Sequence, residues 1–320
     1  MIKPRGNKIV PDMLRLIDLK QCNSVRLTTP KLEKPIFNAS NPSILYDNGL
    51  YYILLRCTNY TLEGKPTACT PRYTTTFYTQ NWIGTTVNPL VSPTNWKPVK
   101  DYSTHKIVSD KVGLEDCRLV KWKHQMYLSG TRRDFNTGGM GRIMLSAINE
   151  DKDCWYESGY WILEGTCNDN NFCEKNHQPI LDKPLHYIAS NNPVFVYKAN
   201  TDTNRIISVK GNTRLAGCNL LGCIRGSSQI VPFGDKYYSI VHHSNTDKTG
   251  QHHYHHHIVT YDKDFNVLKI SDGFKFEGEI IEFCCGMCIN PETEMMYISY
   301  SLMDTKPSVM EIPLSIITTL

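Results

Sequence analysis

The sequence predicts an all-β chain, a five-bladed β-propeller, and three observations lead there. Short runs rich in aromatic and β-branched residues recur along the whole length, tight-turn signals precede them, and sustained helical periodicity is almost absent. A helix is expected only near the start, around Asp12 to Lys20. After it, Asp47-Asn48-Gly49 turns the chain into LYYILLR (50 to 56), and Lys123-His124 turns it into QMYLS (125 to 129). Residues 193 to 197 (PVFVY) give a further strand. Phe233-Gly234-Asp235 then leads into KYYSIV (236 to 241), HIVTY (257 to 261) follows, and Asn290 to Glu294 turns the chain into MMYISY (295 to 300). The repeated unit is a hairpin. A sandwich this long would be unusual, whereas blades of roughly 40 to 65 residues stacked around an axis protect most strand edges. Five such blades fill 320 residues. No exact repeat and no Trp-Asp dipeptide is present. The chain is read as one domain, 1–320, with residues 1–35 as an extension packing on it.

Composition removes several function classes. A net charge of +4 without a basic stripe argues against a nucleic-acid partner. No segment approaches the roughly 18 apolar residues of a membrane span, and the first residues carry no apolar run of signal-peptide length, so a cytoplasmic protein is expected. In that setting the sequons at Asn38 and Asn59 carry no glycan, and the twelve cysteines are expected to be thiols rather than a disulfide framework. Cys284-Cys285-Gly286-Met287-Cys288 lacks the second pair that a zinc site needs.

Polar clusters stand at matching places in successive units. GLEDCRLVKW (113 to 122) sets Glu115, Asp116 and Arg118 at the head of an apolar strand. Strand alternation puts Asp116 and Arg118 on one side and turns Glu115 away, and an aspartate beside an arginine stays ionised. By itself the trio reads equally as an ion pair locking a blade. Asn41-Pro42-Ser43, Arg56 to Tyr60, Glu174-Lys175-Asn176, Arg225 to Gln229, Glu282 and Asp304 occupy comparable positions elsewhere.

The set NPSI, RCTNY, GLEDCRLV, EKN, RGSSQIVPF, IEFCCGM and SYSLMD, in that order over residues 36 to 310, resembles the five-bladed propeller carbohydrate enzymes of the mannoside phosphorylase type. It resembles still more closely the related propeller glycosyltransferase domains. The resemblance implies a polar axial pocket to which each blade contributes one segment. It implies Asp116 as the catalytic general acid, relaying its proton to the glycosidic oxygen through a sugar hydroxyl, with Arg118 orienting it. Asn41, Arg56, Asn59, Glu115, Glu282 and Asp304 become contacts to sugar, and Lys175, Arg225, His243 and His257 contacts to phosphate. Two departures stand out: Cys117 replaces the family's proline, and a histidine-rich segment stands where an arginine is expected.

The implied partners are a glycan acceptor and a sugar phosphate, inorganic phosphate or nucleotide sugar, with no cofactor and no metal. Seven of the eleven histidines fall between His242 and His257. His252 and His253 are expected in an exposed loop, with His255 or His257 reaching the anion pocket. Arg132-Arg133 reads as a solvated turn, or as a second contact for an acidic donor. Tyr60 and Trp122 adjoin the proposed site. Glu282 or Asp304 could instead serve as the base of an inverting hydrolase, and a catalytically silent glycan-binding module or a protein scaffold are the readings from other classes.

Overall fold

The computed structural model describes residues 12–14, 19, 22–61, 71–102, 109–135, 138–164, 172–191, 194–213, 224–248 and 252–318. The chain is all-β, apart from single-turn pieces such as α1 (Leu314–Thr318). Of the helix expected around Asp12 to Lys20, Asp12–Leu14 form the strand β1 instead, Leu19 is buried in a 3-10 turn, and the other residues of that expectation lie outside the described residues. A short segment beside an open sheet edge gains more backbone hydrogen bonds as a strand than as an isolated turn of helix.

After β2 (Ser24–Arg26), the strands β3 (Asn38–Asp47), β4 (Leu50–Thr58), β5 (Phe77–Thr86) and β6 (Lys97–Lys100) form an antiparallel meander. The short β7 (Lys111–Val112) runs parallel to the start of β5. A second meander follows, with β8 (Leu114–Trp122), β9 (Gln125–Arg132), β10 (Arg142–Glu150) and β11 (Trp155–Ile162). Its outer strand pairs with β6, which joins the two into one sheet. Next come β12 (Gln178–Pro179), β13 (His186–Asn191), β14 (Val194–Asn200) and β15 (Arg205–Thr213). Beyond them, β16 (Arg225–Gly226) and β17 (Val231–Phe233) both pair with β18 (Lys236–Thr246), which continues into β19 (His252–Tyr261) and β20 (Val267–Ser271). The last meander holds β21 (Glu282–Asn290), β22 (Met295–Leu302) and β23 (Lys306–Pro313). It lacks an outer strand of its own, and β2 supplies it, with Ser24, Val25 and Arg26 opposite Met310, Val309 and Ser308. β1 similarly extends β20 in parallel. The hairpin turns fall where the sequence placed them: Asn48, Gly49, Lys123, Gly234 and Glu294 all have positive φ.

Apolar faces of neighbouring sheets pack on each other all the way round. Leu54 meets Leu119 and Trp155, Val120 and Trp122 meet Tyr187 and Tyr197, and Ile188 meets Val241 and Tyr261. Ile258 meets Met287 and Tyr300, and Cys288 and Tyr297 of the last meander meet Ile53 and Leu55 of the first. The ring is therefore closed, with the first strand of each meander innermost. At its centre Gln229 is fully buried: Nε2 donates to Ser43 Oγ (3.1 Å), Ile44 O (3.2 Å) and Leu119 O (2.8 Å), and Oε1 accepts from the Met287 N–H (3.0 Å). One amide thus ties inner strands from three meanders. Gly286 lies at the same level, where an added Cβ would sit 2.4 Å from the Ile44 nitrogen, so backbone approaches backbone too closely for any side chain.

Gln229→Leu keeps the volume but leaves buried peptide groups on β3, β8 and β21 unpaired, which should cost roughly 3–5 kcal/mol. Denaturant unfolding of the variant should show the loss; an unchanged midpoint would mean that the central tie carries no stability.

Candidate active site

An intact strand sends alternate side chains to opposite faces, and the inner strands break that rule where they meet the cavity. Asn41 in β3 (φ 43°), Asp116 in β8 (φ 49°) and Asn176 just before β12 (φ 65°) all adopt the left-handed conformation. The pairing register slips between Ser40 and Ser43 and between Glu115 and Arg118. Asn and Asp adopt this conformation more readily than most residues. The bulge at Asp116 packs against Gly130, where a Cβ would lie 2.6 Å from the Glu115 carbonyl oxygen. A fourth left-handed residue, Asp304 (φ 50°), follows Met303 (φ 51°) as the second central residue of a β-turn in the three-residue connection between β22 and β23, closed by the Thr305 N–H on the Leu302 carbonyl at 3.0 Å. Positive φ at both central positions is the turn that right-twisted hairpins favour, although Gly and Asn fill it more often than Met.

These four residues line one cavity of about 420 Å³ together with Arg56, Tyr60, Phe77, Lys111, Glu115, Arg133, Lys175, Arg225, His242, Tyr254, Ile281 and Phe283. Arg56 is buried at its side. Its Nη1 donates to Asp116 Oδ1 at 2.7 Å, Nη2 reaches the Tyr60 hydroxyl, and Nη2 lies 3.6 Å from Glu115 Oε1. Asn41 Nδ2 donates to the same Asp116 oxygen at 2.9 Å, and the Ser301 hydroxyl on Asn41 Oδ1 fixes that amide's orientation. Burial alone would raise the Asp116 carboxyl, but Arg56, Asn41, Arg118 and Lys175 outweigh it and hold it below the ordinary carboxylate range. For Asp304, burial and the neighbouring Asp116 charge prevail over Arg56, Asn41 and Lys175 and push it up to about 6.

The cavity brings together seven of the residues expected from the sequence: Asn41, Arg56, Glu115, Asp116, Lys175, Arg225 and Asp304. Glu115 was expected to face away; the bulge turns it in, where Arg133 Nε reaches its carboxylate at 3.2 Å. Arg118 lies beneath the floor, fully buried. It donates to the carbonyls of Ser227 and Asp116 at 2.7 Å each and to Asn176 Oδ1 at 3.4 Å, and so braces the backbone of Asp116 from below.

Four expected contacts stand elsewhere. Asn59 is fully buried between the Thr76 carbonyl and the Tyr78 N–H, both at 2.8 Å. Glu282 is fully buried outside the cavity lining, where it accepts the N–H groups of Phe276, Glu277 and Glu279. His243 and His257 bond each other at 3.0 Å on the face of β18 and β19 turned away from the cavity, and His257 Nδ1 contacts the Ser271 carbonyl at 2.8 Å. Strand alternation selects their neighbours instead: His242, with Nδ1 2.7 Å from Ser227 Oγ, and Tyr254, whose ring stacks on it at 5.6 Å. The segment expected as a loop is β19 itself. Among the described residues no group of His, Cys, Asp or Glu is placed to hold a metal ion.

The arginine pair expected in a solvated turn divides: Arg132 is buried on Asp134 and Asp101, and Arg133 lines the cavity. Tyr60 faces the cavity as well, whereas Trp122 is buried with its indole on the Ile180 carbonyl at 2.9 Å. Cys117 is fully buried at the proline position, its backbone held by Cys285 Sγ on its carbonyl at 3.4 Å. Phe77, Lys111, His242, Tyr254, Ile281 and Phe283 are lining residues that sequence reasoning did not assign to the site. The alternation of β19 carried a usable signal for Tyr254; Lys111 carried none.

Comparison with solved structures places the fold. A β-1,2-mannobiose phosphorylase from Listeria innocua superposes with a TM-score of 0.59 at 12% identity, over 93% of this chain and 98% of that one. The fold is that of the mannoside phosphorylases. A structure from the GH130 family of mannoside phosphorylases, described with glycoside hydrolases that target β-1,2 mannosidic linkages in Candida mannan, gives 0.62 at 13% identity over 95% and 97%. A mannose phosphorylase from Leishmania mexicana, in complex with phosphate ion, gives 0.51 at 13% over 92% and 89%. These are the enzymes that the ordered sequence motifs resemble. No protein-family model and no curated protein sequence matches the chain. Among the described residues no helix is long and apolar enough to cross a membrane.

Burial holds His177 and His256 down to about 3 and His243 to about 4, and it lowers His242 and His257 as well. An unfolded chain protonates these imidazoles near 6.5, whereas the folded one protonates them only at lower pH. Stability should therefore fall as pH drops below about 6.5, before the carboxylates other than Asp304 titrate. Thermal melts across that range test this, and a flat profile down to the carboxylate range would contradict the neutral burial of the imidazoles.

Proposed function

We propose that the chain is a five-bladed propeller enzyme that cleaves or forms β-linked mannosides by exchange with phosphate, a mannoside phosphorylase. The observation that carries this reading is the arrangement of charge in one sugar-sized cavity. A carboxylate cluster of Glu115, Asp116 and Asp304 faces Lys175 and Arg225, two exposed cations to which no described side chain is bonded. Phosphorolysis needs both halves: a carboxyl group to manage the proton at the glycosidic oxygen, and an anion site on the other side of the anomeric carbon.

In this reading Lys175 and Arg225 take the phosphate, with the neutral His242 imidazole available as a further hydrogen-bond donor. Asn41, Arg56 and Glu115 orient the sugar hydroxyls, and Tyr60, Phe77, Tyr254 and Phe283 give the flat apolar surfaces on which pyranose rings settle. Glu282 does not serve as a water-activating base, because it is fully buried outside the cavity lining. That weakens the hydrolase alternative. The fold shared with mannoside phosphorylases supports the substrate class, and the free cations support phosphate over water as the acceptor.

With β-1,2-mannobiose and inorganic phosphate, the protein should release mannose 1-phosphate, and the reverse reaction should extend mannose from mannose 1-phosphate. Lys175→Ala and Arg225→Ala should each raise KM for phosphate about 10- to 100-fold. Asp116→Asn should lower kcat by roughly 10²–10⁴. Free mannose formed equally fast without phosphate would make the protein a hydrolase, and binding without any turnover would make it a glycan-binding module.

A further inference from the structure

Two aspartates share the cavity, and their partners differ. Asp116 receives Arg56 at 2.7 Å and Asn41 at 2.9 Å. Asp304 lines the same cavity, and no described arginine, lysine or histidine reaches it at ion-pair distance. Because the Ser301 hydroxyl occupies Asn41 Oδ1, the NH₂ end of that amide is turned to Asp116. Two carboxylates in one cavity, with one guanidinium committed to the first, are not both ionised without a large electrostatic cost. The charge settles on the group that has the arginine.

We propose that Asp304, on the turn between β22 and β23, carries the transferable proton of the resting cavity, and that Asp116 is the fixed negative partner that keeps it there. This rests on the phosphorylase reading for what the proton does, but not for where it resides. The turn fixes the place of the carboxyl, since Asp304 lies on the left-handed connection that projects into the cavity lining. The groups facing Asp304 are Asp116 from β8, Arg56 and Tyr60 from β4 and the residues after it, Lys175 ahead of β12, Tyr254 from β19 and Cys285 from β21. Of these, Arg56 and Lys175 favour its ionised form and Asp116 opposes it, and burial adds to the opposition.

In phosphorolysis the step balances as follows. The Asp304 proton passes to the bridging oxygen, directly or through a sugar hydroxyl. The bond from the anomeric carbon to that oxygen breaks with its electron pair staying on oxygen. An oxygen of hydrogen phosphate forms the new bond to the anomeric carbon. The proton of the resulting phosphate ester then returns to the Asp304 carboxylate, leaving an alcohol and a sugar 1-phosphate dianion. Asp116 stays ionised throughout and stabilises the positive charge that builds on the anomeric carbon.

Carbon-13 titration of aspartate side chains in the intact protein, without ligand, locates the proton. The wild type should show one carboxyl titrating near pH 6. That resonance should be missing in Asp304→Asn and should move to lower pH in Asp116→Asn, where the repelling charge is gone. A mid-range carboxyl that survives Asp304→Asn and vanishes in Asp116→Asn would overturn the proposal. So would a wild type with no aspartate titrating above the ordinary carboxylate range, a result that needs no variant to fold. In turnover, Asp304→Asn should lose roughly 10²–10⁴ in kcat with KM for phosphate little changed; full activity in that variant would also overturn it. A protein that turns over no mannoside defeats the function read above, while the titration still decides where the proton sits.

Discussion

A β-strand whose ladder is unbroken cannot aim two successive side chains at the same place, and the whole cavity depends on inner strands that are broken. At Asp116 the backbone swings into the left-handed region, and Glu115 and Asp116 then both face inward. The break is held from three sides. Gly130 leaves room for it, Arg118 grips the Asp116 carbonyl from beneath, and Arg56 with Asn41 grips the carboxylate from the side. Asn41, Asn176 and Asp304 adopt the same backbone conformation in three other meanders, so the ring presents a set of short polar side chains at one level. Loss of ladder hydrogen bonds at each break is a cost, and the closed ring of apolar interfaces offsets it.

The cavity is also electrostatically uneven. Arg56 and Arg133 are taken up by Glu115 and Asp116, whereas Lys175 and Arg225 are not bonded by any described side chain. Two such cations in the lining of a cavity that also holds Glu115, Asp116 and Asp304 leave positive charge there for an anion to take up. The buried imidazoles do not blur this division, because desolvation keeps His242 and His256 uncharged. The nearest histidine therefore contributes hydrogen bonds rather than charge.

Much of this was legible from the chain. Hairpins are local, so Asp47-Asn48-Gly49 and Phe233-Gly234-Asp235 announce themselves through turn chemistry, and the aromatic runs that follow them are the strands found. Asn41, Arg56, Asp116, Lys175, Arg225 and Asp304 were reachable because each stands in a short motif and the motifs occur in a fixed order. What failed was non-local or sub-residue in scale. Alternation counted from Glu115 to Arg118 is valid only without a bulge, and no residue type marks that bulge beforehand. Glu282 and Asn59 look like ligand contacts in sequence, and only the fold shows backbone N–H and carbonyl groups already bound to them. His243 lost its place to His242 by one step along the strand, the smallest error that reverses a face, and on β19 the cavity takes Tyr254, three residues from His257 and so on the opposite face.

Gln229 has a further consequence. Its amide sits at the centre of the ring and bonds inner strands of three meanders. Those strands cannot slide past one another without breaking its four hydrogen bonds, so one glutamine acts as a rivet that holds the register of the whole wheel.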